Sequence, residues 1–256
     1  MQLIPVLDLR GGRAVHARGG DRSRYAPLVS RAAPGAVPGD ALAIAAAFAA
    51  LGARRLYVAD LDAIEGRAPQ ESLVRECARA AIDHGGAQIC LDAGIAGSAD
   101  AAPWASVPGV ERVIVGLESI AGMDVVADVA RAVQPLRVAF SLDLRDGAPQ
   151  ARSDTLARAA PLALGRAAVR AGASAVLLLD LARVGSGAGV DEALAGRMVA
   201  SAAPAELIVG GGIQDLDAVR RLAVLGVHGV LIGSALHDGR IDPRSLAAFA
   251  ASAAPA

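Results

Sequence analysis

The chain repeats itself, and this internal repeat limits the possible folds more than any other feature of the sequence. The first half contains, in this order, VLDLRGG (6–12), GARRLYVADLDA (52–63), ICLDAGI (89–95) and GVERVIVG (109–116). The second half contains the similar phrases SLDLRDG (141–147), GASAVLLLDLA (172–182), IVGGGI (208–213) and GVHGVLIG (226–233). Two matched halves, each with four short apolar runs, indicate a fold built from two similar units.

The apolar runs and the stretches between them predict an α/β barrel. Each run is short and rich in Val, Ile and Leu, which is typical of strands buried on both faces of a parallel sheet. Amphipathic stretches separate the runs; one extends from a capping Asp40 to a terminating Gly52, and another from Asp215 to Gly226. Eight strands alternating with eight helices over 256 residues predict a (β/α)8 TIM barrel. An open doubly wound sheet would also alternate, but two matched four-strand halves favour closure.

The length and the repeat also predict the domain organisation. We expect a single TIM-barrel domain over residues 1–256, built from half-barrels at about 1–134 and 135–256. The first half carries extra residues between Asp8 and Asp60, in the first strand-to-helix loop (10–39). A loop of this length in a compact domain is usually a functional lid or a disordered segment.

Composition and charge exclude several classes of function. The chain has 25 basic and 26 acidic residues, so there is no electrostatic reason to expect nucleic acid or a membrane surface as a partner. No charge-free apolar run reaches membrane-spanning length and Met1 leads directly into a strand, so we expect a cytoplasmic protein without a signal peptide. Cys77 and Cys90 are then predicted to be buried thiols. Every basic residue is Arg, so no Schiff base can form on a lysine, which excludes a class of aldolases.

The doubled phrase places an aspartate at an equivalent strand end in each half. Asp8 and Asp143 end the first and fifth predicted strands, and side chains at the carboxyl ends of barrel strands point into the active-site mouth. Two carboxylates across a pocket suit general acid–base catalysis, with one protonated and one ionised. The structural alternative is that each aspartate only caps the following turn or pairs with Arg10 or Arg145. We predict that Asp8 and Asp143 are catalytic and face each other across the mouth.

A glycine-rich phrase after the seventh strand predicts a phosphate site. VGGGIQD (209–215) exposes backbone N–H groups, and LIGSAL (231–236) opens a short helix after Gly233, where an anion is favoured. Barrels commonly bind phosphate after strands seven and eight. A glycine triplet alone could be a tight turn, but its position beside the second loop favours phosphate binding.

These features together resemble the HisA/HisF family of histidine biosynthesis. The two-half barrel and the phrases VLDLRGG, SLDLRDG, VADLDA, VGGGI and IGSAL carry the resemblance, which covers nearly the whole chain. The chain is most similar to the HisA branch, the phosphoribosylformimino-5-aminoimidazole carboxamide ribotide isomerases that perform an Amadori rearrangement, and to a related branch of unassigned activity. The resemblance implies that Asp8 and Asp143 match the catalytic aspartates. It also implies one of the family's two phosphate sites at Gly211, Gly212, Gly233 and Ser234.

The resemblance breaks down at the end of the first half, where the family's other phosphate site is expected. A glycine pair should end the third strand there, but this chain has Asp92 and Ala93, and Glu118 follows the fourth strand. Two carboxylates repel an anion, since like charges about 4 Å apart cost on the order of 4 kcal/mol at an effective dielectric of about 20. A hydroxyl and an aspartate expected around the sixth strand are replaced by Leu179 and Val184, and a tryptophan expected after the fifth strand is absent. We therefore predict that one phosphate-binding site and the acid–base pair are retained, and that the other phosphate-binding site is lost.

Further polar residues at the predicted mouth are candidates for substrate binding. The set comprises Asp60, Asp92, Asp180 and Arg18. The alternative is that these aspartates are structural and are held by loop arginines. If they bind the ligand, its end without phosphate is cationic or amine-bearing. No Asp/Glu/His spacing points to a metal, so we expect neither a metal nor a cofactor, and the scattered histidines are assigned to the surface or the core: His16, His84, His228 and His237.

Three functional hypotheses follow. The first is a HisA-like enzyme in which Asp8 and Asp143 catalyse an Amadori-type or related rearrangement of a small, singly phosphorylated, sugar-like substrate. The second is a genuine isomerase of histidine biosynthesis whose first phosphate is held by arginines of the lid. The third is a phosphorylated-ligand sensor that has lost catalysis and would tolerate Asp8→Asn. All three give the protein a small phosphorylated metabolite as its partner, and none determines its oligomeric state.

Overall fold

The computed structural model describes residues 1–17, 24–134, 137–184 and 189–251. The strands, in chain order, are β1 (Gln2–Arg10), β2 (Arg13–His16), β3 (Ala26–Pro27), β4 (Arg55–Asp60), β5 (Gln88–Asp92), β6 (Val110–Gly116), β7 (Arg137–Arg145), β8 (Ala148–Pro149), β9 (Ala175–Asp180), β10 (Glu206–Gly210) and β11 (Gly229–Ile232). The helices are α1 (Ala41–Ala50), α2 (Leu61–Ile64), α3 (Glu71–Gly85), α4 (Ser98–Ala101), α5 (Asp124–Ala132), α6 (Asp154–Ala157), α7 (Pro161–Arg170), α8 (Glu192–Ala202), α9 (Leu216–Val224), α10 (Ser234–His237) and α11 (Ser245–Ala251). Short 3-10 turns occupy Ala102–Trp104 and Leu181–Arg183.

Eight of these strands form a closed parallel barrel. Their order around the ring is β1, β4, β5, β6, β7, β9, β10 and β11. The ring closes where β11 pairs with β1, through partners such as Gln2 with Gly229 and Pro5 with Ile232. The predicted (β/α)8 TIM barrel is therefore confirmed. Because β1 and β7 lie four strands apart in either direction, they stand on opposite sides of the barrel.

The barrel interior is filled in levels by side chains that alternate with outward-facing ones along each strand. The level at the amino ends of the strands is charged and contains Arg55, Arg112 and Glu206. Between the two ends lies a buried apolar cluster that includes Ile4, Cys90, Ile114, Ala139, Ala175, Leu177, Ile208 and Leu231. The level at the carboxyl ends of the strands carries the polar groups of the cavity described below. The outward faces of the strands pack against the helices in a second, larger apolar core.

The two helices whose starts the sequence predicts begin at the expected capping residues. Asp40 caps α1 by accepting a hydrogen bond from the backbone of Ala43, and Asp215 caps α9 in the same way from Ala218. Each cap satisfies an N–H group that would otherwise lack a partner in the first turn. Within the part of the chain that the structure describes, no helix is long and apolar enough to cross a membrane.

Two tight hairpins extend the first strand of each half, and the sequence analysis did not predict them. Gly11 and Gly12 have φ values of 55° and 78°, and β2 returns antiparallel to β1. In the second half Asp146 and Gly147 have φ values of 51° and 80°, and β8 returns along β7. Positive φ at both central residues is the geometry of the type I′ hairpin turn. The segment predicted as a lid therefore contains two ordered strands, β2 and β3, beside the cavity.

Candidate functional site

A cavity of about 430 Å³ opens at the carboxyl ends of the barrel strands. This is the end at which TIM-barrel enzymes hold their active sites. Residues of both halves line it, and they differ in chemistry at its two ends. The first half contributes carboxylates and a tyrosine, whereas glycines and a serine of the second half line the other end, together with two imidazoles.

Asp8 and Asp143 both line this cavity. They lie on β1 and β7, so the barrel geometry sets them on opposite sides. Asp143 is nearly buried, with 7% of its surface exposed, and the hydroxyl of Ser141 donates a hydrogen bond to its Oδ1 at 2.8 Å. This bond orients the carboxylate within the cavity wall. The arrangement suits a ligand held between two carboxyl groups that approach it from different faces.

The end of the cavity formed by the first half is built around Asp92. The hydroxyl of Tyr57 donates to its Oδ2 at 3.0 Å, and the backbone N–H of Gly94 donates to its Oδ1 at 3.3 Å. Burial, reinforced by Asp92 and the two opposed aspartates, raises the pKa of Tyr57 well above its ordinary value of 10.0. Tyr57 therefore remains protonated and acts as a donor to Asp92. Glu118 also lines this end.

Strand register defines the contrast between the two ends. Asp8 pairs with Ala59 and Ala59 with Asp92, while Asp143 pairs with Leu179 and Leu179 with Gly210. Asp92 and Gly210 thus hold equivalent positions in the two halves. A carboxylate stands in the first half where the second half has no side chain.

The end formed by the second half brings glycine backbone to the cavity surface. Gly211 and Gly212 have φ values of 90° and 84°, which non-glycine residues rarely adopt. A Cβ on Gly211 would lie 2.6 Å from the carbonyl oxygen of Asp180, and one on Gly212 would lie 2.7 Å from that of Gly189. Only glycine fits at these positions. Gly233 and Ser234 line the same end, so all four predicted phosphate-binding residues are brought together.

Two histidines lie at this end beside Ser234, and the sequence analysis had assigned them only to the surface or the core. Nε2 of His16 lies 2.9 Å from Oγ of Ser234, and His16 lines the cavity. The ring of His237 packs edge-on against that of His16, with centroids 5.7 Å apart. His16 and Ser234 are 218 residues apart in sequence, so no local pattern could have indicated this contact.

Two of the predicted substrate-binding aspartates serve the backbone instead of lining the cavity. Asp60 is fully buried; its Oδ1 accepts from the backbone of Asp62 and Ala63, and Gln70 donates to it through both backbone and side chain. Asp180 accepts from the backbone of Ala182 and forms an ion pair with Arg183 at 3.2 Å. Asp180 matches the structural alternative in which a loop arginine holds the aspartate, whereas Asp60 is held by backbone N–H groups and Gln70. Each aspartate starts the short helix that follows its strand.

The other candidates divide between the cavity and the undescribed parts of the chain. Asp92 lines the cavity, whereas Arg18 lies outside the described residues. Arg145 and Gln150 reach the cavity beside Asp143, and Arg240 reaches it after α10. Among the residues that the structure describes, no group of three or more His, Cys, Asp or Glu side chains is arranged to hold a metal ion.

The fold is a closed (β/α)8 barrel. Its cavity, at the carboxyl ends of the strands, has opposed carboxylates and one glycine-lined end, which is the arrangement of a TIM-barrel enzyme. The chain belongs to the family described as "Histidine biosynthesis protein", whose model matches residues 2–242. The HisA/HisF resemblance of the sequence is thereby confirmed.

Sequence alignments with three relatives extend over nearly the whole chain. A protein of Thermus thermophilus is 35% identical over 250 residues, which is 94% of this chain and 96% of the relative. Proteins of Roseiflexus castenholzii and Rhodospirillum centenum are 32% and 33% identical, covering 97% and 98% of this chain and 100% and 97% of their own. All three are named as isomerases of a 1-(5-phosphoribosyl) imidazole-4-carboxamide that carries a 5-phosphoribosylamino group.

Proposed function

We propose that this protein is an isomerase that performs an Amadori-type rearrangement on the phosphoribosyl imidazole-carboxamide named for its relatives. The observation that carries the proposal is the pair of carboxyl groups, Asp8 and Asp143, on opposite strands of one cavity. The names of the relatives support this substrate. They favour the genuine histidine-pathway isomerase over the diverged enzyme that was the first of our sequence-based hypotheses.

The chemistry of the rearrangement explains why two opposed carboxyl groups are needed. One carboxylic acid donates a proton to the ring oxygen of the aminosugar, so the bond from that oxygen to the anomeric carbon breaks and a protonated imine remains. The other group, as a carboxylate, removes the proton from the neighbouring carbon, and the released electron pair neutralises the imine to give an enolamine. Return of a proton to the former anomeric carbon and loss of the enol proton give the aminoketose. Asp8 and Asp143 would divide these two roles.

The second half would hold one phosphate of the substrate. Gly211, Gly212 and Gly233 present backbone to the cavity without side chains, and Ser234 adds a hydroxyl. Backbone N–H groups and a hydroxyl are suitable donors to phosphate oxygens. Holding the phosphate here would place the sugar carbons of the same molecule towards the middle of the cavity, between the two aspartates.

Conservative substitution of the two aspartates tests the proposal. We expect Asp8→Asn and Asp143→Asn each to lower kcat/KM for the relatives' substrate by roughly 100- to 10,000-fold, because an amide cannot transfer the proton. Sulfate should still bind at the second-half end, which would show that the variants are folded. If Asp8→Asn turns over the substrate as fast as the wild-type protein, the catalytic assignment is wrong. If the wild-type protein binds phosphate but does not turn over the substrate, the sensor hypothesis is supported instead.

A second candidate, a singly phosphorylated substrate, is favoured by the carboxylate at the other end of the cavity. Gly94 is equivalent in the repeat to Gly212, and its backbone N–H donates to Oδ1 of Asp92 at 3.3 Å. Asp92 thus takes the position that an anion would need, and Glu118 adds a second negative charge nearby. This observation supports an enzyme of the same reaction type whose substrate has phosphate at one end only.

Crystals soaked in sulfate distinguish the two candidates. For the singly phosphorylated substrate we expect density beside Gly212 and Ser234 and none beside Asp92, because the first-half end offers acceptors where an anion needs donors. Density of similar strength at both ends would exclude this candidate and favour the two-phosphate substrate. Rescue of a strain lacking the histidine-pathway isomerase would point the same way.

A further inference from the structure

We infer that His16 is a ligand of the phosphate at the second-half end and supplies its positive charge, so that anion binding is coupled to protonation of this imidazole. The inference rests on the proposed function, because it takes the phosphate site at Gly211, Gly212, Gly233 and Ser234 as given. It adds a residue, a charge and a pH dependence to that site. None of these follows from the glycine motif.

The position of His16 beside Ser234 is the first observation that supports the inference. The hairpin turn at Gly11 and Gly12 brings β2 back beside β1, which places His16 at the cavity wall. Its Nε2 lies 2.9 Å from Oγ of Ser234. A phosphate oxygen bound to Ser234 would therefore lie within reach of the imidazole or of a donor that the imidazole orients.

The direction of the hydrogen bond between His16 and Ser234 decides whether the serine hydroxyl can donate to an anion. If Nε2 has no proton, the hydroxyl of Ser234 donates to it and is no longer available to an anion. If Nε2 carries a proton, it donates to Oγ, and the hydroxyl proton of Ser234 can point at a phosphate oxygen. Protonation of His16 thus adds a charge and fixes the second direction, which among the neutral forms only the Nε2–H tautomer has.

The neighbouring groups leave His16 as the site of protonation. His237 is held neutral, because burial and then the proximity of His16 lower its pKa to about 4. The charged or titratable side chains around this end are Asp8 on β1, Tyr25 beside β3, and Arg240 with its ion-pair partner Asp238. Arginine as a residue type keeps its charge near neutral pH, whereas an ordinary histidine changes its charge between about pH 5 and pH 8.

Sulfate titrations across pH test the inference, since sulfate keeps its charge over this range whereas phosphate does not. For the wild-type protein we expect the affinity for sulfate to be highest near pH 5.5 and to fall as the pH rises towards about 8. His16→Gln should bind sulfate roughly tenfold or more weakly at the low pH, with little pH dependence. His16→Arg, whose charge is permanent, should bind tightly at both pH values. His84→Gln, at an exposed histidine of α3, is the matched control and should behave as wild type.

The outcomes separate this inference from the proposed function. If wild type binds sulfate, Ser234→Ala weakens the binding and His16→Gln leaves both affinity and pH dependence unchanged, then the role of His16 is wrong and the phosphate site stands. If wild type does not bind sulfate, or Ser234→Ala binds it equally well, then the phosphate site itself is wrong and the role of His16 is overturned with it. Tight binding by His16→Arg would also show that loss of binding in His16→Gln does not reflect misfolding.

Discussion

At the scale of single residues, His237 is a titratable group that has become part of the core. Its Nε2 lies 3.2 Å from the carbonyl oxygen of Val6, to which it donates, and its Nδ1 lies 3.1 Å from Oγ of Ser30. The ring also packs against Phe48, at a centroid distance of 5.8 Å. A neutral imidazole satisfies both contacts, with the serine hydroxyl donating to Nδ1. His237 therefore fixes α10, and with it Ser234, against β1.

This environment predicts that His237 makes the protein less stable in acid. Its folded-state pKa of about 4 lies below the ordinary 6.5, so the unfolded chain binds a proton more readily. The stabilisation is fully present above about pH 6.5 and is lost as the pH falls towards 4, by on the order of 3 kcal/mol. Urea unfolding should show this loss in wild type and a smaller one in His237→Gln, with His84→Gln as the exposed control. Equal losses in wild type and His237→Gln would contradict the prediction.

At the scale of elements, the repeated phrases VLDLRGG and SLDLRDG specify a hairpin turn as well as the end of a barrel strand. The apolar runs predicted the eight barrel strands, because period and composition are local properties. The pairs Gly11-Gly12 and Asp146-Gly147 are also local signals, since these dipeptides favour type I′ turns. The hairpins were not predicted from these signals. These turns create β2 and β8, and β2 carries His16.

The aspartates after the barrel strands show a limit of prediction from sequence. Asp60 and Asp180 are the last residues of β4 and β9, and Asp8 and Asp143 lie two residues before the ends of β1 and β7. The difference is that a short helix or turn begins directly after Asp60 and Asp180, so their carboxylates turn back to backbone N–H groups. Sequence alone offers both roles for such a residue. Contacts between paired strands, such as that of Tyr57 on β4 with Asp92 on β5, depend on the register of the sheet and lie beyond any local pattern.

At the scale of the whole molecule, a charged network at the amino end of the barrel joins the two halves. Glu206 on β10 accepts from Arg55 on β4 at 2.8 Å and from Arg112 on β6 at 3.1 Å, and Glu111 binds Arg55 through both of its oxygens. Burial would raise the pKa of Glu206, but Arg112 and Arg55 outweigh it and lower that pKa below its ordinary value of 4.5. The network is therefore intact at neutral pH and weakens as the pH falls through the acid range.

The unequal burial of Arg112 and Arg55 predicts that Glu206 contributes more to the stability of the protein than Glu111 does. The side chain of Arg112 is 0% exposed and pairs with Glu206, whereas Arg55 also has Glu111. Glu206→Gln would leave a buried charge without its partner and should lower the free energy of unfolding by about 3 kcal/mol. Glu111→Gln, the matched control, should cost less than about 1 kcal/mol, because Arg55 keeps Glu206. Urea unfolding measures both values.

A double variant tests the cause of this loss. Arg112→Met removes the stranded charge and keeps an apolar side chain of similar length, so Glu206→Gln with Arg112→Met should be more stable than Glu206→Gln alone. If the double variant is less stable, the two losses are independent, and the buried arginine is not what makes Glu206 necessary. If it is more stable, the link between the halves is a compensated charge whose loss an uncharged pair partly offsets. The cavity at the carboxyl ends of the strands lies at the other end of the barrel, so the binding of sulfate there should be the same in all these variants.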